Sequence, residues 1–171
     1  MRPDDNQLHQ LAEQAGAALK LHGITLATAE SCTGGWVGMV MTAVAGSSVW
    51  YDRGFITYSN AAKQQQLGVS VDILNNYGAV SEATVHAMAQ GALQQSQAGI
   101  ALAISGIAGP TGGTVEKPVG TVCIAWAMAE GTCLETTYGF KGSRDEIRAH
   151  AVAAALQGVI ELLSGMPAPP L

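Results

Sequence analysis

Thr28-Ala29-Glu30-Ser31-Cys32-Thr33-Gly34-Gly35 joins two kinds of sequence. Before it, residues 24–29 are β-prone and bounded by Gly23; after it, Trp36, Val37, Val40 and Met41 recur at helical spacing. Ser31 therefore sits where a strand hands over to a helix. The first amides of a helix lack internal partners and carry partial positive charge, so such a corner can hold a phosphate or a developing oxyanion. Gly34 and Gly35 let a ligand approach closely. A Ser/Thr cap followed by glycines needed for helix packing accounts for the same residues. The corner is not a P-loop, because no Gly-Lys-Ser/Thr follows.

Working outward, Leu8, Leu11, Ala15, Ala18 and Leu19 mark one face of an opening helix that ends near Gly23. On the other side, residues 35–43 read as a helix closed by Gly46-Ser47-Ser48, and residues 50–59, rich in aromatic and β-branched side chains, as a second strand. Ser59 or Asn60 caps a short helix carrying Lys63 in its first or second turn. Residues 72–77 suggest another short helix, and Ser81 caps a longer one whose buried face is Val85, Met88, Ala89 and Ala92. The apolar run 100–104, ending at Ser105, has the pattern of a central strand covered on both sides. A Gly/Pro loop follows to Gly120. Residues 121–128 and 133–140 form a hairpin. Ser143 and Glu146 have capping-box spacing ahead of a last amphipathic helix. This order predicts a three-layer α/β/α sandwich around a mixed, mostly parallel five-stranded sheet, a single domain over residues 1–165, and a disordered tail at 166–171. Ligands of such sheets bind beyond the carboxyl ends of parallel strands, where Ser31, the end of the second strand and Ser105 all fall.

The 171 residues are 48% hydrophobic and only 12% charged, against roughly 25% charged in an ordinary soluble domain, which favours a homo-oligomer. A formal charge of −5 gives no general attraction to nucleic acid or anionic lipid. The uncharged run 31–51 carries too many Gly, Ser and Thr residues for a membrane span, and the polar start has no signal-peptide core. Three cysteines without a C-x-x-C pair fit a reduced, cytoplasmic setting. Four scattered histidines offer no ligand spacing, so no metal is expected.

Six stretches in order carry a resemblance: residues 28–35 above, Gly46-Ser47-Ser48, Thr57-Tyr58-Ser59-Asn60-Ala61-Ala62-Lys63, Gly78-Ala79-Val80-Ser81-Glu82, Ser105-Gly106-Ile107-Ala108-Gly109-Pro110 and Glu116-Lys117-Pro118-Val119-Gly120-Thr121. From about Leu8 to Leu163 the chain resembles the stand-alone form of the CinA C-terminal domain, or nicotinamide-nucleotide amidase (PncC), family. The resemblance implies deamidation of nicotinamide mononucleotide to nicotinic acid mononucleotide and ammonia, the α/β/α fold, no metal or other cofactor, and frequent dimerisation. An inactive paralogue that binds a pyridine nucleotide is the alternative. Where members often have Gly-Asp-Arg, this chain has Gly142-Ser143-Arg144; serine is an equally good N-cap, so the helix is expected intact.

Metal-free amide hydrolysis needs a nucleophile, a base, an acid for the departing ammonia and oxyanion donors. Ser31 is the expected nucleophile, with Cys32 as its rival. Lys63 is the expected base, since no histidine lies in the matching stretches and a desolvated amine can be neutral near pH 7. Tyr58 is expected to hydrogen-bond Lys63 or Ser31 and pass the proton. Ser48 and Ser105 are candidates to orient substrate or to polarise Lys63. Thr33, Gly34 and Gly35, with the glycines of the long loop (Gly106, Gly109, Gly112 and Gly113), are candidates to cradle it, and Arg144 to offer a bidentate fork to its phosphate. Glu30 is placed with the substrate-binding residues, orienting Lys63 or a backbone amide.

Overall fold

The computed structural model describes residues 1–166. In chain order the elements are α1 (Asp5–His22), β1 (Leu26–Glu30), α2 (Trp36–Thr42), a 3₁₀ turn (Ser47–Val49), β2 (Tyr51–Ile56), α3 (Asn60–Leu67), α4 (Val71–Tyr77), α5 (Glu82–Gln94), β3 (Ile100–Gly106), β4 (Thr121–Met128), β5 (Cys133–Gly139) and α6 (Arg144–Ser164). The capping residues set these bounds: the side chains of Asp4, Ser59, Ser70, Ser81 and Ser143 each accept a hydrogen bond from an amide in the first turn of the helix they precede. Ser143 and Glu146 complete the reciprocal capping box, so serine starts α6 as expected. Of the tail expected at 166–171, residues 167–171 lie outside the described residues.

The sheet order is β2-β1-β3-β4-β5. β1 pairs in parallel with β2 and β3, while β4 runs antiparallel to both β3 and β5, so four of the five strands point one way. The two faces of the sheet differ in bulk. One presents Leu26, Ile100, Leu102, Ile104, Val122, Ile124 and Trp126 to α1, α2 and α6. The other presents Ala27, Ala29, Ala101, Ala103, Cys123, Ala125 and Ala127 to α3, α4 and α5. Strand alternation sorts the two sets. The alanine face lets α5 lie close over the sheet, and α3 comes close to α5 in turn: a Cβ on Gly91 of α5 would stand 2.0 Å from the Leu67 carbonyl oxygen at the end of α3. On the bulky face, Gly158 of α6 leaves room for the Trp126 ring, whose Nε1 donates to the Ala155 carbonyl at 2.9 Å.

Among the described residues one helix, α6, is long and apolar enough to cross a membrane. Here its stripe Ile147, Ala151, Val152, Ala155, Leu156, Val159 and Leu163 is buried in the bulky-face core. The second strand stops at Ile56, short of the expected residue 59, because Thr57, Tyr58 and Ser59 turn off the sheet to cap α3. Glu30 lies in register with Ile56 and Ile104, which brings the exits of β1, β2 and β3 to one edge of the molecule.

Candidate active site

β1 delivers Ser31 to that edge. The Ser31 amide still donates to the Ile104 carbonyl at 2.9 Å, and its own carbonyl accepts from Gly34 at 3.0 Å, which begins a tight turn before α2. From the alanine-face side, the Ser59 cap fixes the start of α3 so that Lys63 points back under the turn. Its side chain is 1% exposed. Lys63 Nζ lies 3.0 Å from Ser31 Oγ and donates to the Thr57 carbonyl at 2.8 Å. Among the described residues no carboxylate forms an ion pair with it. Burial lowers its pKa from the ordinary 10.5. A neutral amine has one lone pair, and the Ser31 hydroxyl is placed to donate into it. Burial acts oppositely on the neighbouring thiol: the Cys32 pKa is pushed up to about 12, so the rival nucleophile stays protonated.

Glu30 is not a substrate ligand in this geometry. Its carboxylate, 1% exposed, accepts from the amides of Gly35, Val37 and Gly38 at 3.0, 3.1 and 2.9 Å, and both oxygens are used. It orients backbone amides rather than Lys63. The first-turn amides of α2, expected to face a ligand, are thereby consumed. The amides of Cys32 and Thr33, in the turn before the helix, donate to no oxygen among the described residues. Thr33, Gly34 and Gly35 are not among the residues that line the cleft around Ser31. They line a separate depression of about 1000 Å³ with Arg148, Trp36 and Met39. Gly34 and Gly35 adopt φ of +62° and +94°, the left-handed backbone needed to reverse the chain there.

The Ser31 cleft itself is about 190 Å³ and is lined by Ser31, Cys32, Tyr58, Lys63, Ala79, Val80, Ser105, Gly106, Ala108 and Arg144. Ser105 and Gly106 thus join the site as the parallel-strand exits require. Tyr58 lines it at the rim, 61% exposed. Its hydroxyl accepts from Arg144 Nη2 at 3.0 Å and bonds neither Lys63 nor Ser31, so the expected proton relay is not formed. Arg144, the first residue of α6, also donates to the Gly109 carbonyl at 2.8 Å, so this guanidinium is oriented without an aspartate at 143.

Ser48 and the far end of the glycine loop fall outside the cleft. Ser48 precedes β2, which is parallel to β1, and so sits at the opposite edge of the sheet from Ser31. Gly112 and Gly113 are exposed beyond the closed base of the loop, where the Ile107 amide donates to the Thr121 carbonyl and the Gly120 amide to the Ile107 carbonyl. Gly109 is packed against Val119: a Cβ there would stand 2.4 Å from Val119 Cγ1. Its contribution is the carbonyl on Arg144.

Residues 8–163 match the family model of the CinA C-terminal domain. The chain belongs to that family. This CinA C-terminal domain is 56% identical over 153 residues to the nicotinamide-nucleotide amidohydrolase PncC of Escherichia coli K12, an alignment covering 90% of this chain and 93% of that one. The Enterobacter agglomerans protein of the same name is 50% identical with the same coverage. The crystal structure of the competence/damage inducible protein CihA from Agrobacterium tumefaciens superposes with a TM-score of 0.89 at 43% identity, covering 95% of this chain and 98% of that one.

Two residues of this CinA C-terminal domain were not anticipated. Thr57 serves Lys63 through a main-chain carbonyl, which no side-chain pattern signals. Arg148 binds the carbonyls of Cys32 and Thr33, each at 3.0 Å. The one clue in the sequence is its position one helical turn after Arg144. Sequence spacing also did not foretell that His86 of α5 meets Cys133 and Glu135 of β5, with their donor atoms within 4.8 Å of one another.

Proposed function

We propose that this CinA C-terminal domain hydrolyses the carboxamide of nicotinamide mononucleotide, giving nicotinic acid mononucleotide and ammonia, with Ser31 as nucleophile and Lys63 as base. The observation that carries the reading is the buried, carboxylate-free Lys63 amine 3.0 Å from Ser31 Oγ, in a chain 56% identical to a nicotinamide-nucleotide amidohydrolase. Ser31 Oγ bonds to the carboxamide carbon while its proton passes to Lys63 Nζ, and the carbonyl π electrons move onto oxygen. The Cys32 and Thr33 amides, which donate to no oxygen among the described residues, serve as the donors for that oxyanion. Collapse breaks the C–N bond, and the lysinium gives its proton to the departing nitrogen, which leaves as ammonia. Water then attacks the acyl-serine, its proton passing through Lys63 back to Ser31 Oγ as the acid is released.

The cleft, about 190 Å³, is smaller than the roughly 300–1000 Å³ of a pocket for a whole drug-sized ligand. It takes the pyridine carboxamide, and the ribose and phosphate extend past the rim to Arg144, whose guanidinium is already aimed by Gly109 and Tyr58. We assign the activity to a single domain over residues 1–165 of a cytoplasmic enzyme, in keeping with the three free cysteines. The working form is a dimer, supported by Met39 and Ile56, 60% and 53% exposed around one depression.

Ammonia release from nicotinamide mononucleotide tests the reading directly. Wild-type turnover that is lost in Ser31→Ala and in Lys63→Ala is the expected result. Tight nucleotide binding without any turnover would replace the enzyme with a binding module.

A further inference from the structure

Arg148 stands on the far side of the nucleophile turn from the cleft, and nothing in the chemistry above uses it. It lies on α6 between the buried residues Ile147 and Ala149, half-buried itself, and forms no ion pair among the described residues. Its directed contacts all fall on the segment after Ser31. Nε donates to the Cys32 carbonyl and Nη2 to the Thr33 carbonyl, both at 3.0 Å, and the guanidinium carbon lies 5.2 Å from the centre of the Trp36 ring. A half-buried cation usually finds a carboxylate. This one holds the outward carbonyls of a four-residue turn instead.

We propose that Arg148 is a positioning residue for the oxyanion donors of the amidase reaction; the inference rests on the serine mechanism above. A peptide unit is planar and trans, so its C=O and N–H point in opposite directions. The Cys32 carbonyl and the Thr33 amide belong to one such unit. With the carbonyl drawn to Arg148, the Thr33 N–H is turned to the side of that peptide opposite the guanidinium. Cys32, whose carbonyl the guanidinium holds, lines the Ser31 cleft. Donors stabilise a developing oxyanion only when they are aimed before charge appears. A cation on the carbonyl also polarises the peptide and makes its N–H a better donor. The end of the turn is clamped independently, through the Gly35, Val37 and Gly38 amides on Glu30. Arg148 fixes what Glu30 leaves free: the middle of the turn, with the two amides that donate to no oxygen among the described residues.

The test compares Arg148→Gln and Arg148→Lys with wild type and Ser31→Ala. Three quantities are followed: turnover of nicotinamide mononucleotide, affinity for the planar product nicotinic acid mononucleotide, and affinity for the 3-formylpyridine mononucleotide, an aldehyde that forms a tetrahedral adduct with a serine. In Arg148→Gln, kcat should fall about 100-fold, the loss typical of one oxyanion donor. KM and product affinity should stay within about threefold, and aldehyde affinity should fall in step with kcat/KM. Arg148→Lys, which keeps the charge but not the two-pronged contact, should lie between. A merely structural role would lower product and aldehyde affinity together, and that result, or a kcat within about threefold of wild type, overturns the proposal. If neither variant folds, the wild type decides: the Thr33 amide proton should shift strongly downfield on adduct formation, and an unmoved resonance refutes the assignment. Full turnover in Ser31→Ala would instead bring down the serine reading itself.

Discussion

The turn after β1 is gripped from two sides by two basic side chains, and they do different work. Lys63 reaches it from α3 on the alanine face, and Arg148 from α6 on the bulky face. Neither has a carboxylate partner among the described residues. Lys63 is 1% exposed, and among the described residues only the Thr57 carbonyl and the Ser31 hydroxyl are within hydrogen-bonding reach of its nitrogen. Arg148 has two carbonyls and an indole face. An amine starved of acceptors can shed its proton, whereas a guanidinium does not deprotonate in proteins. The residue type decides which side supplies chemistry and which supplies geometry, and the swap Lys63→Arg would put a permanent charge where a lone pair is required.

The strongest way to break the comparison is on the chemical side. Ser31→Ala and Lys63→Ala should each lower kcat by at least about 1000-fold, with far-UV dichroism unchanged. The double variant should be no worse than either single one, because the two act as a unit. A double variant that loses far more than each single change would mean that they act separately. Next in size is the clamp shared by both sides. Glu30→Ala leaves three amides and their dipoles without a buried acceptor, and should cost about 3 kcal/mol in urea unfolding. A loss under about 1 kcal/mol would show that water replaces the carboxylate at no cost.

Much of this was legible in the chain. Every strand and α-helix was indicated by periodicity and by capping serines at 59, 81 and 143, because these are local signals. The meeting of Ser31 and Ser105 followed from one rule, that parallel strands exit on the same edge, whereas Lys63 came from the family resemblance and the lack of a histidine in the matching stretches. The same rule, applied to Ser48, would have removed it from the site, since it precedes its strand. For Tyr58 the expected partners were not the ones found, and for Glu30 the backbone amide, one of the two partners expected, is the one found. Residue type showed that each could hydrogen-bond, but the partners are set by backbone placement: three amides for Glu30 and the Arg144 guanidinium for Tyr58. Arg148 was missed because its partners are main-chain carbonyls, which the sequence writes identically at every position.

A smaller effect sharpens the division between cleft and rim. Arg144→Ala should raise KM for nicotinamide mononucleotide by about tenfold, the worth of one exposed charge-assisted contact, with kcat little changed. The riboside, which has no phosphate, should be insensitive. If both substrates lose equally, Arg144 supports the cleft through Tyr58 and Gly109 rather than holding phosphate.

The smallest effect isolates the cost of keeping the amine dry. Lys63→Met replaces a buried, partly polar chain by one of similar shape with nothing to desolvate, so the variant should be more stable than wild type at pH 7, by about 1 kcal/mol. The sign with pH follows from linkage. The folded-state pKa of Lys63 lies below the unfolded 10.5, so between the two values the unfolded chain binds more protons and wild-type stability climbs with pH. Below the folded pKa the full penalty is present; above 10.5 it is gone. Titrations common to both proteins cancel in the difference, so the advantage of Lys63→Met should shrink steadily as pH rises toward that limit. The same lowered pKa should set the acid limb of kcat/KM, which rises as the free enzyme loses the Lys63 proton. A stability gap that stays constant with pH would mean that Lys63 keeps its charge in the folded protein, and the amine could not then accept the Ser31 proton.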